Sequence, residues 1–205
     1  MDGFSGFKSA STEELPEAVR VMDPFHVIRL AGDALDVCRR RVQQTTCGHR
    51  GRAGDPLYKA RRTLHNGAGM LTEKQQTRLE EPFAADAHIE VEATWGIYQR
   101  KSTAYREKDR AQGKKLMQAV VDSLSAGVPA ALTVLKTLGR TLKRRTAVLL
   151  AYFDRPRTSN GPSEAINGRL EHLRGSPLGF RNLAHYIARS LLESGGFRPK
   201  LHPQF

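Results

Sequence analysis

Cysteine is nearly absent. Cys38 and Cys47 are the only two in 205 residues, too few for a disulfide framework or a four-cysteine zinc site. No stretch approaches the ~18 uninterrupted apolar residues of a membrane-spanning helix. The start, Met1-Asp-Gly-Phe-Ser-Gly, has neither the basic residues nor the apolar run of a secretory signal. These features point to a reducing cytoplasm. Tryptophan occurs once, and no helical pattern pairs an apolar stripe with the aromatic anchors that membrane-surface binding needs. Acidic residues are also scarce, 21 against 33 basic, for a net charge of +12. With 39% hydrophobic and 26% charged residues, the chain can bury a core and is too apolar to be wholly disordered. Its length suits one domain, or one domain carrying a large insertion.

The excess positive charge is clustered. Arg39-Arg40-Arg41, Arg50 with Arg52, Arg61-Arg62 and Lys143-Arg144-Arg145 each concentrate cations. A cation placed at a phosphate releases condensed counterions, so such clusters suit a nucleic-acid backbone. Any single cluster is equally well read as a solvated helix face. Ribosomal and nucleoid proteins share this profile, so charge alone names no activity.

Along the chain, Asp2 to Ala10 reads as a glycine- and serine-rich loop, and Ser11 to Glu17 as a short helix that Pro16 interrupts. Ala18-Val-Arg-Val-Met22 reads as a strand, with β-branched residues in partial alternation. Asp23-Pro24 has the form of an N-cap followed by proline at the first helical position. The following stripe, Val27, Leu30, Ala31, Ala34, Leu35, Cys38 and Val42, predicts a long helix ending near Gly48. From there to Phe153 the pattern is helical. A basic loop spans 50–56, Asn66-Gly67 ends a short helix, and Thr72 with Gln75 makes a capping box for a helix that Pro82 terminates. Helices are also predicted from Glu90 to Glu107, around Leu116 to Leu124, and from Val128 through Phe153. A turn-rich break over 155–162 precedes a helix starting at Pro162, and Asn182 caps a last one. No internal repeat is present.

Three local features can carry chemistry: Asp2-Gly3-Phe4, Asp23-x-x-His26, and Ser159-Asn160-Gly161-Pro162-Ser163-Glu164. Each also has an ordinary reading. Asp2 suits a glycine turn, Asp23 is a natural N-cap, and His26 is a first-turn histidine. Glu164 is favoured in a first turn by the helix dipole. On a helical wheel Glu164 falls opposite Ile166, Leu170 and Leu173, beside Gly168 and Glu171. It therefore faces solvent or a polar site rather than the core. Neither Cys47 with His49 nor His185 forms a metal constellation.

The run from Asp2-Gly-Phe-Ser-Gly-Phe-Lys through Leu-Pro-Glu-Ala-Val-Arg-Val-Met-Asp-Pro-Phe-His-Val-Ile-Arg-Leu-Ala-Gly32 resembles the catalytic region of bacterial insertion-sequence transposases of the ISL3 group. The resemblance continues through Val91-Glu-Ala-Thr-Trp-Gly-Ile-Tyr98, Thr158-Ser-Asn-Gly-Pro-Ser-Glu-Ala-Ile-Asn-Gly-Arg-Leu170 and Gly179-Phe-Arg-Asn-Leu183. It covers essentially the whole chain.

The resemblance implies an α/β fold that is mostly α by content: a partial RNase H-like catalytic domain, its first strands missing, interrupted by a large all-helical insertion. The implied segments are 1–46 and 156–194 for the RNase H-like part, 47–155 for the insertion and 195–205 for an irregular tail. It also implies an Asp-Asp-Glu triad holding two Mg²⁺ ions for strand cleavage and transfer at terminal inverted repeats of double-stranded DNA, as a homo-oligomer. In that scheme Glu164 is the glutamate and Asp2 the second aspartate. Asp23 and His26 support the site, with Asp23 as the alternative second aspartate. The arginine clusters contact DNA, and Trp95 either stacks on an unpaired base or packs in the core. No residue here matches the first aspartate. The chain is thus expected to be a C-terminal fragment, inactive alone. The alternative is a non-catalytic DNA-binding module that occupies element ends or interferes with an intact transposase.

Overall fold

The computed structural model describes residues 5–155, 158–176 and 179–195. They form two compact units, Met1–Thr158 and Ser159–Phe205. All regular structure among the described residues is helical.

The first unit opens with α1 (Ser5–Glu14), where the glycine and serine content points to a loop. One interior glycine, Gly6, costs a helix only ~1 kcal/mol, and the remaining residues tolerate helix well. It stops two residues short of Pro16, as proline requires. The strand expected over Ala18–Met22 does not form. A strand needs a neighbour to receive its row of N–H and C=O groups, and the described residues supply none. Instead the Met22 N–H donates to the carbonyl of Val148, 3.0 Å away on a helix. Val21 and Met22, neighbours in sequence, are both buried while Val19 stays exposed, so burial here does not follow the period of two that suggests a strand.

α2 (Pro24–Cys47) begins and ends where the sequence places it. The Asp23 side chain accepts from the Phe25 N–H at 2.8 Å, Pro24 sits at the first position, and Gly48 closes the helix at φ 73°, a left-handed conformation that favours glycine. Its stripe of Val27, Ala31, Leu35, Cys38 and Val42 is buried. α3 (Pro56–Ala60) and α4 (Glu73–Phe83) follow. The Thr72–Gln75 capping box is present, and α4 runs one residue past Pro82.

α5 (Ile89–Arg106), α6 (Arg110–Ser125), α7 (Thr133–Arg144) and α8 (Thr146–Asp154) complete the unit. α2 packs on α5, α7 and α8, and α6 packs on α5, α7 and α8. Leu35 of α2, Val91 of α5, Val120 of α6, Leu142 of α7 and Leu149 of α8 belong to one apolar core. The helix assigned by resemblance to the α/β segment thus shares its core with the helices assigned to the insertion. Arg110 closes the end of α8, donating to the carbonyls of Phe153 (2.8 Å), Tyr152 and Arg155.

Gly113 lets α5 and α6 approach. A Cβ there would sit 2.7 Å from the Ala104 carbonyl oxygen and 2.9 Å from the Phe153 ring. Alanine is the better helix former by ~1 kcal/mol, yet a backbone carbonyl cannot yield as a side-chain tip can. Gly113→Ala is therefore expected to lower stability by ~1–3 kcal/mol, read as a shift of the urea midpoint. An unchanged or higher midpoint would contradict this packing.

In the second unit, α9 (Gly161–Gly175) packs on α10 (Leu183–Ser194). Asn182 caps α10 as its sequence suggests, its Oδ1 accepting from the Ala184 N–H at 2.8 Å. Phe180 packs against Tyr186 with ring centres 5.2 Å apart.

Candidate functional site

Asp2 lies outside the described residues. Asp23 is only 2% exposed. It is held at the head of α2 by its capping bond and by the Met22–Val148 tie beside it. Burial pushes the phenol of Tyr105 above its ordinary range, with Tyr152 and the charge of Asp23 as further causes. Tyr105 itself stacks on Phe153, ring centres 5.4 Å apart. His26, in the first turn of α2, is half-buried and meets the Phe25 ring edge-on at 5.6 Å. Asp23 and His26 thus sit together, at a packed helix start. If Asp23 serves chiefly as a cap, Asp23→Ala should cost ~0.5–2 kcal/mol, and asparagine, an equally good cap, should recover most of it. Urea titrations of both variants test this, and equal losses would point to a different job for the carboxylate.

Glu164 belongs to the second unit. It is exposed in the first turn of α9, where the dipole favours a carboxylate, and its N–H donates to the Asn160 carbonyl at 2.9 Å. Gly168, one turn on, has open space around it. Among the described residues no group of three or more His, Cys, Asp or Glu side chains is placed to hold a metal ion. Taken singly, Glu164 has the exposure and the hard oxygen donors that Mg²⁺ prefers. Asp23 does not fit that role as well, being buried with one oxygen committed to the cap.

The arginine clusters divide on inspection. Arg39 is buried, and its guanidinium is spent on Asp36 (3.2 Å) and Gln43 (2.6 Å). Arg41 ties α2 to α5 and α7 through Glu90 and Thr133 Oγ1. Arg40 is exposed, with Nε on the Asp36 carbonyl at 3.1 Å. Arg61 lies over the Tyr58 ring at 4.0 Å, and Arg62 is exposed beside it. Lys143 and Arg144 are exposed at the end of α7, while Arg145 is half-buried, its Nη1 3.9 Å from the Met22 sulfur. Trp95 packs against Phe83 with ring centres 5.4 Å apart, at the edge of the core.

Two further cations belong to no run in the sequence. Lys136 and Arg140 are exposed on α7, respectively two turns and one turn before Lys143 and Arg144. A helical wheel gathers them. Lys101 is likewise silent in the sequence: it is fully buried, with Nζ donating to the Val27 carbonyl at 2.8 Å. Its spacing from Tyr98 and Tyr105, three and four residues, places it on the buried face of α5.

Comparison with known proteins decides what frame these residues belong to. A family model described as Transposase, that of the ISL3 group of DDE transposases, matches residues 1–190. The chain belongs to that family. Two curated relatives, each a transposase for insertion sequence element IS1557, come from the CDC 1551 / Oshkosh and ATCC 25618 / H37Rv strains of Mycobacterium tuberculosis. Each is 28% identical over 218 residues, covering 94% of this chain and 48% of the relative. The chain therefore spans about half the length of these curated transposases. No solved structure matches. Among the described residues, no helix of this transposase-family chain is long and apolar enough to cross a membrane.

Proposed function

We propose that this chain is the C-terminal part of a DDE transposase, which contributes a glutamate to metal-dependent cutting and joining of DNA and a helical body that grips DNA. One observation carries the reading. The family match runs through the Ser-Asn-x-x-x-Glu-x-x-Asn segment, and Glu164 of that segment stands exposed on the first turn of α9.

Glu164 and Asp2 would be the carboxylates holding divalent metal, with Asp23 and His26 supporting the DNA-facing side. Bound Mg²⁺ would activate the attacking oxygen and steady the leaving one in an in-line displacement. The protein's own part is to present a carboxylate on a rigid helix and to hold the duplex in register against it. An RNase H-like frame, double-stranded terminal inverted repeats as substrate, self-association and a place in the bacterial nucleoid complete the proposal.

Cleavage of a duplex carrying element ends tests it, with residues 1–205 joined in frame to the remainder of a full-length transposase. Cutting in Mg²⁺ that EDTA abolishes is expected. Cutting that persists in EDTA would overturn the metal role. The alternative, a DNA-binding module without chemistry, draws support from the exposed cations of α7. It predicts binding to element ends with no cutting in any joined form.

A further inference from the structure

α7 is twelve residues long and carries no carboxylate. Its buried face is Leu135, Leu138, Gly139 and Leu142. Gly139 seats it tightly on α6, since a Cβ there would lie 2.8 Å from the Leu124 carbonyl oxygen. Roughly opposite that face, Lys136, Arg140, Lys143 and Arg144 fall within ~100° of arc, at 100° per residue. All four are exposed. Among the described residues none of them pairs with a carboxylate, unlike Arg39, Arg41 and Lys114. Arg140 donates to Thr137 Oγ1 at 3.3 Å.

Three of these cations, Lys136, Arg140 and Lys143, border a groove of about 420 Å³, whose other wall is the end of α6 and the turn after it, Leu124 to Val128. Gly127, at φ 119°, contributes no side chain to that wall. The ordinary explanation is that cations near helix C-termini complement the dipole. Magnitude argues against it as the whole account: the ends of α6 and α7 together present the equivalent of about one negative charge, against four cations.

We infer that this groove seats the phosphodiester backbone of one strand of duplex DNA, with Lys136, Arg140 and Lys143 at the phosphates and Arg144 at its edge. The seven-residue span from Lys136 to Lys143 covers ~10 Å of helix, about three phosphates at ~3.4 Å of duplex axis each. The inference rests on the DNA-gripping part of the proposed function and gives that grip an address.

The test uses the 205-residue chain and a fluorescent duplex, titrated from 50 to 300 mM salt. Lys136→Gln, Arg140→Gln and Lys143→Gln together should weaken binding at least ~10-fold and flatten the log–log salt slope by ~2.7, about 0.9 for each phosphate no longer neutralised. All three are exposed and glutamine is a good helix former, so circular dichroism should be unchanged. A control triple, Lys74→Gln, Arg78→Gln and Lys108→Gln, removes exposed charge outside the clusters and should change the slope by less than one. An unchanged slope in the α7 triple, or a larger drop in the control, would overturn the groove. If the unaltered chain shows no salt-dependent binding, the DNA-gripping reading fails, and the groove with it.

Discussion

Glu164→Gln should lower metal-dependent strand cleavage on the order of 10³-fold while leaving DNA affinity within about twofold. The size follows from what the carboxylate would supply. A charged oxygen ligand is exchanged for a neutral amide of the same shape, and removing one preorganised electrostatic interaction with the reacting centre typically costs ~3–4 kcal/mol of barrier. Folding should survive, because Glu164 is exposed and its backbone bond to Asn160 is independent of the side chain. Affinity should survive because the exchange leaves the cations of the first unit untouched. The variant is read in a cleavage-competent form of the polypeptide, with anisotropy on the same preparation. Cleavage within tenfold of the parent would remove Glu164 from the metal site. A parallel collapse of binding would instead make it a structural residue.

Raising the pH from 7 towards 10 should stabilise the first unit through Lys101, and Lys101→Met should abolish that gain. Lys101 is fully buried, and its Nζ has a single carbonyl partner on Val27. Burial pushes its ammonium from the ordinary 10.5 down to about 7. Between those values the unfolded chain holds a proton that the folded chain lacks, so stability rises with pH across that window. Below pH 7 both states are protonated and the penalty is complete; above ~10.5 both are neutral and it is gone. Each pH unit in the window is worth ~1.4 kcal/mol, giving roughly 5 kcal/mol over its whole width. Methionine keeps the volume and removes the charge, so Lys101→Met should be more stable than the parent near pH 6.5 by ~1–4 kcal/mol. The advantage should shrink as pH rises. Urea unfolding of both proteins from pH 6.5 to 9.5 measures this directly, and parallel curves would contradict the buried, neutralising lysine.

Helix boundaries are legible in the sequence where a local rule decides them. Asp23-Pro24 and Gly48 bracket α2, the Thr72–Gln75 box opens α4, and Asn182 opens α10. The Ala18–Met22 segment misleads because a strand is a property of pairing, and β-branched residues in partial alternation do not supply a partner. Arg39 reads as a DNA contact because it stands in a run of three arginines. Yet it lies four residues after Leu35 and three before Val42, on the buried stripe, with Asp36 one turn back to receive it. Runs along the sequence are a poor guide to charge on a helix. The cations of α7 that share a face are spaced by three and four, and two of them fall outside any run. The wheel alone places Glu164 correctly on an exposed first turn. Its chemistry is legible only through the family motif, because an exposed first-turn glutamate is commonplace.

Whether this chain handles DNA is the central question. The decisive measurement is equilibrium binding of residues 1–205 to two duplexes of equal length and composition, one from the DNA flanking its own gene and one scrambled, as a function of salt. Binding to both is expected at low salt, with a log–log slope of about −2.7 or steeper for the three α7 cations at phosphates, and tighter binding to the flanking duplex. A flat salt dependence, or no binding at 50 mM salt, would contradict a DNA-gripping role for this chain.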